Sequence, residues 1–309
     1  MTHRRLALFL LALVAGLQTS CLQEPVIPQA DFLKAMNAVV LAPQLTCDEL
    51  KHYFGVPYVP TVDNPGALGV DYEEAFVPTV DGQMLRVWYI PAATDRGTIV
   101  LSMGAVGNMS CFLFVAQLLR FDGWSVVLYE YQGFGGSTGK PNVTTLYTDL
   151  EAVMDWTLAR TGRAQLTLMG VSIGTIPAVA HAAERPELVN ALILDAPIAL
   201  DHEVDRFALL LGGDPAPYLA QLDDRLQLTK ELPKVHQPLL AFTYGQDEYA
   251  TSRQFFAGMV TTCPCAWTIV RFEALPHARG PYLATAKYFY AADQFLAGVW
   301  SGGAPTTQP

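Results

Sequence analysis

Short apolar runs alternate with amphipathic stretches along most of the chain. Residues 73–80 and 84–90 have the pattern of two strands, and Asp81-Gly82 between them is a dipeptide typical of a tight hairpin turn. Further apolar runs predict strands at 98–103, 124–129, 165–169, 191–194, 239–243 and 267–272.

Apolar residues at helical spacing fill most of the intervals between these strands. In one such stretch Val143, Leu146, Leu150 and Val153 recur every three or four positions. Helices are predicted at 109–121, 143–158, 173–184 and 281–299. A hairpin that leads into repeated strand–helix units predicts an α/β fold, with a mostly parallel, twisted sheet and helices on both faces.

One long interval, 197–238, interrupts this alternation. It contains two helical stretches, 204–211 and 218–228, and such an insert is either a lid over a site or a long crossover. We therefore expect a single domain with a lid-like insert and irregular segments at both ends. The predicted segments are a tether with a short helix at 21–71, the domain at 72–300 and a flexible tail at 301–309.

Composition and charge exclude several classes of protein. Charged residues make up 16% and hydrophobic residues 51% of the 309 positions, which argues against disorder and fibrous repeats. The formal net charge is −10, and no basic stripe is present that would neutralise phosphates. We therefore expect no nucleic-acid partner.

The N-terminus has the pattern of an export sequence. Arg4 and Arg5 precede an apolar run at 6–17, which is too short to span a bilayer and is typical of a signal peptide over residues 1–20. Ser20 and Cys21 then resemble the cleavage site of a bacterial lipoprotein. The resemblance implies an exported protein that is lipidated at Cys21 and anchored to the outer membrane of a bacterium. The alternative is ordinary cleavage, an unmodified Cys21 and a periplasmic or secreted protein.

The other cysteines are Cys47, Cys111, Cys263 and Cys265, and in an exported protein they can form disulfides because the compartment is oxidising. They allow three complete pairings. A bridge from Cys47 to Cys263 or Cys265 is one interpretation, with Cys111 as a small buried hydrophobic residue. The sequence Cys263-Pro264-Cys265 lacks metal-binding spacing, so we expect neither a metal nor a cofactor.

The pentapeptide Gly170-Val171-Ser172-Ile173-Gly174 directly follows a predicted strand and opens a predicted helix. In that context, the glycines permit a sharp turn that exposes the serine hydroxyl at the end of the strand. The alternative is a tight turn in which Ser172 only caps the helix. We predict that Ser172 is a nucleophile.

A serine nucleophile needs a histidine base, which is held by an acid. His277 lies between the last predicted strand and the last helix, where the chain order serine, acid, histidine requires the base. Asp247 follows the strand at 239–243 and is the predicted acid, with its neighbour Glu248 as the alternative. Asp195, at the end of the preceding strand, is a more remote alternative whose other interpretation is structural.

Two backbone N–H groups are expected to bind the negative charge that develops on the substrate oxygen. One belongs to Ile173, directly after the nucleophile. The other is assigned to Ala105, in the loop of small residues after the strand at 98–103. A plain glycine-rich turn is the alternative for that loop.

These motifs make residues 72–300 resemble the α/β-hydrolases, and most closely the Bem46-like and serine-aminopeptidase-like families. The segment from Glu130 to Pro141, Glu-Tyr-Gln-Gly-Phe-Gly-Gly-Ser-Thr-Gly-Lys-Pro, resembles their Asp-Tyr-Arg-Gly-Phe-Gly-x-Ser sequence. The chain departs from the families in the oxyanion loop, where Met103-Gly104-Ala105 stands in place of His-Gly-Asn.

The resemblance implies a serine hydrolase that cleaves carboxylic esters or thioesters of a small-molecule or acyl substrate through an acyl-enzyme. A peptidase or amidase with the same triad is one alternative. A non-catalytic surface-binding protein on a hydrolase scaffold is another, because a fold does not determine a function.

Overall fold

The computed structural model describes residues 62–210, 214–247 and 256–301, together with residues 34, 37, 41, 44 and 46–49. An eight-stranded sheet with the order β1-β2-β4-β3-β5-β6-β7-β8 forms its centre. The strands are β1 (Glu73–Pro78), β2 (Met84–Ile90), β3 (Gly97–Ser102), β4 (Trp124–Tyr129), β5 (Leu166–Val171), β6 (Val189–Asp195), β7 (Leu239–Tyr244) and β8 (Trp267–Phe272).

Strand direction follows from the hairpin and the crossovers. Gly82, at φ +81°, allows the tight turn that joins β1 to β2, and β2 runs antiparallel to both β1 and β4. The strands from β3 to β8 are parallel to their neighbours. The predicted mostly parallel α/β sheet is therefore confirmed.

Helices connect the parallel strands. They are α1 (Leu113–Phe121), α2 (Leu146–Thr161), α3 (Thr175–Glu184), α4 (Leu200–Leu210), α5 (Ala216–Leu219), α6 (Leu228–Glu231), α7 (Gly280–Leu283) and α8 (Thr285–Trp300). Short 3-10 turns include Met109–Phe112 before α1 and Ser172–Gly174 before α3. Contacts join α1 to α8 and α2 to α3. Within the described residues no helix is long and apolar enough to cross a membrane.

The interval between β6 and β7 differs from the sequence prediction. The helix predicted at 218–228 is wrong, because α5 ends at Leu219 and α6 begins only at Leu228. Between them the Asp223 carboxylate accepts a hydrogen bond from the backbone N–H of Arg225, which caps a short 3-10 turn instead of continuing a helix. The lid interpretation of 197–238 stays a prediction.

The predicted C-terminal helix is also divided. Ala284, with φ −137° and ψ 42°, lies between α7 and α8 and interrupts the helix that the sequence predicts at 281–299. The short α7 therefore belongs to the loop that follows β8 rather than to the long terminal helix.

Two disulfides pair the four cysteines within the described residues. Cys47 is bonded to Cys111, and Cys263 is bonded to Cys265. The proposed bridge from Cys47 to Cys263 or Cys265 is therefore wrong, as is the interpretation of Cys111 as an unbonded hydrophobic residue. The N-terminal segment approaches the Met109–Phe112 turn, with 5.2 Å between the Cα atoms of Cys47 and Cys111, and no local pattern encodes this contact.

Candidate active site

Ser172 lies in a strained turn at the carboxyl end of the central strand β5. Its φ is +54°, a left-handed backbone conformation that is uncommon for residues other than glycine. A Cβ atom at Gly174 would lie 2.2 Å from the Ser102 carbonyl oxygen, and one at Gly170 would lie 2.4 Å from the Gly174 carbonyl oxygen. Both glycines are therefore required by close backbone packing, as the pentapeptide predicts.

A chain of hydrogen bonds joins the ends of three strands. The Ser172 Oγ atom lies 2.9 Å from Nε2 of His277. Nδ1 of His277 lies 2.9 Å from Oδ2 and 3.1 Å from Oδ1 of Asp247. Because a carboxylate only accepts, Nδ1 carries the proton and Nε2 is free to accept from the serine hydroxyl.

Asp247 and His277 are 9% and 6% exposed, while Ser172 is partly accessible. Asp247 follows β7 and His277 follows β8, so the parallel strands bring their loops to one edge of the sheet. The structure therefore brings together Ser172, Asp247 and His277 as the sequence predicts. Glu248, the alternative acid, lies outside the described residues.

The loop with the predicted oxyanion donor lies beside the nucleophile. A Cβ atom at Gly104 would lie 3.8 Å from the Ser172 Cβ atom, which is ordinary contact. Ala105 follows Gly104 in this loop and is half-buried, and Ile173 is buried at the start of the 3-10 turn. Both backbone donors stay predictions.

The segment that begins at Glu130 holds both ends of this loop. The Tyr131 hydroxyl donates to the Met103 carbonyl oxygen at 2.7 Å. The Glu130 carboxylate accepts from the backbone N–H of Gly136 at 2.6 Å and, more weakly, from that of Met109 at 3.4 Å. Burial raises the pKa of Glu130. The sequence analysis missed these contacts, although it had singled out the segment.

Asp195 occupies a different position from the triad acid. It ends β6 and accepts hydrogen bonds from the hydroxyls of Tyr244, at 2.6 Å, and Tyr288, at 2.9 Å. Its structural interpretation is therefore favoured. Nothing in the local sequence around Tyr244 or Tyr288 indicates this contact, because the two tyrosines are 49 and 93 residues away from it in the chain.

Side chains that could ligate a metal ion do not cluster in the part of the chain that the structure describes. No group of three or more histidine, cysteine, aspartate or glutamate side chains is placed there to hold a metal ion. The described site offers a nucleophile, a base and an acid, which is the set of groups that acyl transfer requires.

Curated relatives are similar to this chain over part of their length. An uncharacterised protein of Mycobacterium tuberculosis is 29% identical over 182 residues, which cover 57% of this chain and 62% of that protein. The human protein ABHD12B is 35% identical over 116 residues, or 36% of this chain and 32% of that protein. The chain thus spans less than two thirds of these relatives.

Solved structures share the fold at low sequence identity. An esterase of Pyrococcus furiosus matches with a TM-score of 0.63 at 18% identity, over 79% of this chain and 97% of that chain. The family model described as alpha/beta hydrolase fold matches residues 97–262, more than half of the 309 residues. This match includes Ser172 and Asp247 and, together with the strand order, shows that the chain belongs to the α/β-hydrolase family.

Proposed function

We propose that this protein is a serine hydrolase that cleaves carboxylic esters or thioesters through an acyl-enzyme on Ser172. The observation that carries the proposal is the continuous contact from Ser172 Oγ through His277 to Asp247. A serine hydroxyl is a weak nucleophile, and it becomes effective when a neighbouring base removes its proton. The Pyrococcus furiosus protein with the same fold is an esterase, which favours an ester over other acyl compounds.

In the first half of the reaction, Ser172 Oγ forms a bond to the substrate carbonyl carbon while its proton passes to Nε2 of His277. The carbonyl π bond opens and its electron pair moves to the oxygen, where the N–H groups of Ile173 and Ala105 stabilise the charge. Collapse of this intermediate expels the alcohol or thiol, which takes the proton from His277. Asp247 accepts from Nδ1 throughout and stabilises the imidazolium.

In the second half, water attacks the acyl carbon and gives its proton to His277. The acid product leaves and Ser172 recovers its proton. The polar groups of this chain and water suffice for every step, so no cofactor is invoked. The substrate is a small molecule or an acyl compound that reaches the partly accessible Ser172.

The test combines a fluorophosphonate probe with p-nitrophenyl esters of increasing acyl length and an aminoacyl anilide. Wild type should be labelled and should hydrolyse at least one ester. Ser172→Ala should abolish labelling and lower kcat by about 10³-fold or more. Ser301→Ala, which changes an exposed serine just after α8, is the matched control and should behave as wild type.

Each alternative gives a distinct result in this experiment. Faster turnover of the anilide than of every ester would assign the triad to a peptidase or amidase. A folded wild-type protein that neither reacts with the probe nor turns over any substrate would contradict catalysis and favour a binding protein on the hydrolase scaffold.

A further inference from the structure

A second buried carboxylate lies beneath the triad, at the end of β6. Asp195 is 1% exposed and accepts from two tyrosine hydroxyls, those of Tyr244 and Tyr288. Such burial is costly for a charged group unless it is compensated by hydrogen bonds. The two tyrosine hydroxyls supply this compensation for Asp195. A buried carboxylate that is held in this way calls for an explanation beyond packing.

One of these tyrosines connects Asp195 to the loop that carries His277. The backbone N–H of Gly280 donates to the Tyr244 hydroxyl oxygen at 3.2 Å. A Cβ atom at Gly280 would lie 2.7 Å from that oxygen and 2.7 Å from Cδ2 of Tyr288, so the backbone is pressed against the tyrosine pair. Gly280 comes three residues after His277, and its position fixes the end of the histidine loop.

The same tyrosine also reaches the acid of the triad. Tyr244 is the last residue of β7, and Asp247 follows three residues later. Asp195 thus binds, through the single Tyr244 hydroxyl, both the end of β7, three residues before Asp247, and the loop that carries His277.

We propose that Asp195 is a positioning residue, which holds His277 in register with Asp247 and adds a second negative charge near the imidazole. The inference rests on the proposed function, because it assigns a role to Asp195 within the same triad. Catalysis requires that the base approach Ser172 Oγ within hydrogen-bond distance, and a displacement of about 1 Å can cost roughly a hundredfold in rate.

The titratable groups that face Asp195 bear on the electrostatic part of this role. They are the hydroxyls of Tyr244, Tyr282 and Tyr288, the His277 imidazole and the Asp247 carboxylate. Burial raises the pKa of Asp195 to about 6, and hydrogen bonds from Tyr244 and Tyr288 oppose that rise. Asp195 is therefore mostly ionised at neutral pH. Burial also raises the pKa of each of the three tyrosines, which stay neutral donors.

The central test is Asp195→Asn, which preserves shape and removes the charge. We expect kcat for an ester to fall roughly tenfold to a hundredfold with KM within about twofold. Without the second anion the imidazolium is less stable. The acidic limb of the kcat/KM profile should therefore move to lower pH, and so should the midpoint of the His277 titration followed by NMR.

Two further variants separate the contacts. Tyr244→Phe removes the hydroxyl that joins Asp195 to Gly280 and should lower kcat about as much as Asp195→Asn. Tyr288→Phe removes the other donor to Asp195 but keeps the Tyr244 hydroxyl that binds Gly280, and it should have a smaller effect. Asp149→Asn is the matched control: Asp149 is a fully buried carboxylate that hydrogen-bonds Gln132 rather than the tyrosine pair, and its loss should leave the His277 titration unchanged.

The outcomes distinguish this inference from the proposed function. If wild type turns over no substrate, the function fails, while a lower His277 midpoint in Asp195→Asn still supports the placement of the charge. If wild type is active and a folded Asp195→Asn keeps its kcat, pH profile and titration midpoint, the inference is overturned. A loss of kcat that accompanies a lower melting temperature, with no shift in either pH measurement, also overturns it.

Discussion

At the scale of single residues, the turn around Ser172 combines a strained residue with two close backbone contacts. Ser172 has a positive φ. Gly170 lets β5 approach the start of α3, and Gly174 lets the turn approach the end of β3. Strain of this kind persists only where the surrounding structure determines the conformation.

Gly174→Ala tests whether close packing of the surrounding backbone holds this turn in its strained conformation. The added Cβ would lie 2.2 Å from the Ser102 carbonyl oxygen and 2.6 Å from that of Met103. We expect the free energy of unfolding to fall by about 3 kcal/mol or more, because two backbone segments must move apart. Ester turnover should be lost as well.

Gly258→Ala is the control for that change, because Gly258 is helical and an added Cβ would meet nothing within 4 Å beyond the backbone of its own helix. It should be neutral or stabilising by up to about 1 kcal/mol. Denaturant unfolding measures both variants, and equal effects would contradict the packing explanation.

Asp149 provides a prediction on pH. Burial raises its pKa from 3.8 to about 7, with hydrogen bonds from Gln132 opposing the rise. The native state therefore retains a proton that the unfolded chain loses between about pH 4 and 7, and this group makes stability fall as pH rises through that window. The unfolding free energy of Asp149→Asn, taken relative to that of wild type, should be higher at pH 8 than at pH 4 by on the order of 2–4 kcal/mol. A pH-independent difference in unfolding free energy would contradict this.

The sequence predicted the candidate site residues whose place in the chain is dictated by the order of the strands. Ser172, Asp247 and His277 each follow a strand, and the order of parallel strands dictates that their loops converge. The contacts of Tyr244 and Tyr288 were missed because a tyrosine among apolar residues cannot be distinguished from a core residue until its hydroxyl partner is known.

At the scale of elements, α2 and α3 meet through a stacked pair of rings. The rings of Tyr147 and His181 are 4.0 Å apart, and Nε2 of His181 lies 2.9 Å from the Tyr147 carbonyl oxygen. Since a carbonyl accepts, Nε2 carries the proton of a neutral imidazole. Burial lowers the pKa of His181 from 6.5 to about 4.

This contact predicts acid sensitivity. The unfolded chain binds a proton at this histidine between about pH 6.5 and 4 while the native state does not, so stability falls as pH falls through that range. His181→Gln keeps a donor for the Tyr147 carbonyl and cannot titrate. Relative to wild type, its unfolding free energy should lose about 2–3 kcal/mol less between pH 7 and 4.

His236→Gln, which changes an exposed histidine, should follow the wild-type profile. Thermal unfolding at each pH gives both comparisons. An acid profile of His181→Gln that is parallel to wild type would show that the sensitivity arises elsewhere.

Strands were predicted more accurately than helices. The strands β3 and β4 are apolar runs that are buried on both faces, and their predicted bounds agree with the structure within about one residue. The short helices between β6 and β7 depend on local caps such as that of Asp223, which periodicity does not detect.

At the scale of the whole molecule, the Cys47–Cys111 disulfide ties the N-terminal segment to the turn that follows the oxyanion loop. The two cysteines are separated by 64 positions, and a cross-link of this span stabilises the folded state by about 4 kcal/mol in the chain-entropy description. Cys47→Ser with Cys111→Ser should therefore unfold at markedly lower denaturant concentration.

The second disulfide supplies the control. Cys263 and Cys265 are separated by two positions, and the loss of so small a loop should cost much less. Denaturation of both double variants, with and without a reductant, gives the comparison. Equal losses would show that loop length does not explain the stabilisation.

Lipidation at Cys21 also concerns the whole molecule and stays a prediction, since Cys21 lies outside the described residues. Wild type expressed in bacteria should sediment with membranes, because stable anchoring requires more than one acyl chain, and Cys21→Ser should not be lipidated. Mass spectrometry of the mature N-terminus measures the modification. An unmodified N-terminus upstream of Cys21 in a soluble protein would contradict the anchor.

The position of His277 after the last strand has a consequence for incomplete chains. Ser172 and His277 are 105 residues apart, and β8, which precedes the histidine, is an edge strand of the sheet. A ribosome adding about 5–20 residues per second therefore produces the nucleophile turn roughly 5–20 s before the base. During that interval, and in any fragment that stops before β8, the serine has no partner to activate it. Under the proposed function, hydrolysis therefore requires that synthesis has passed the final strand, and a product that terminates before His277 lacks the base.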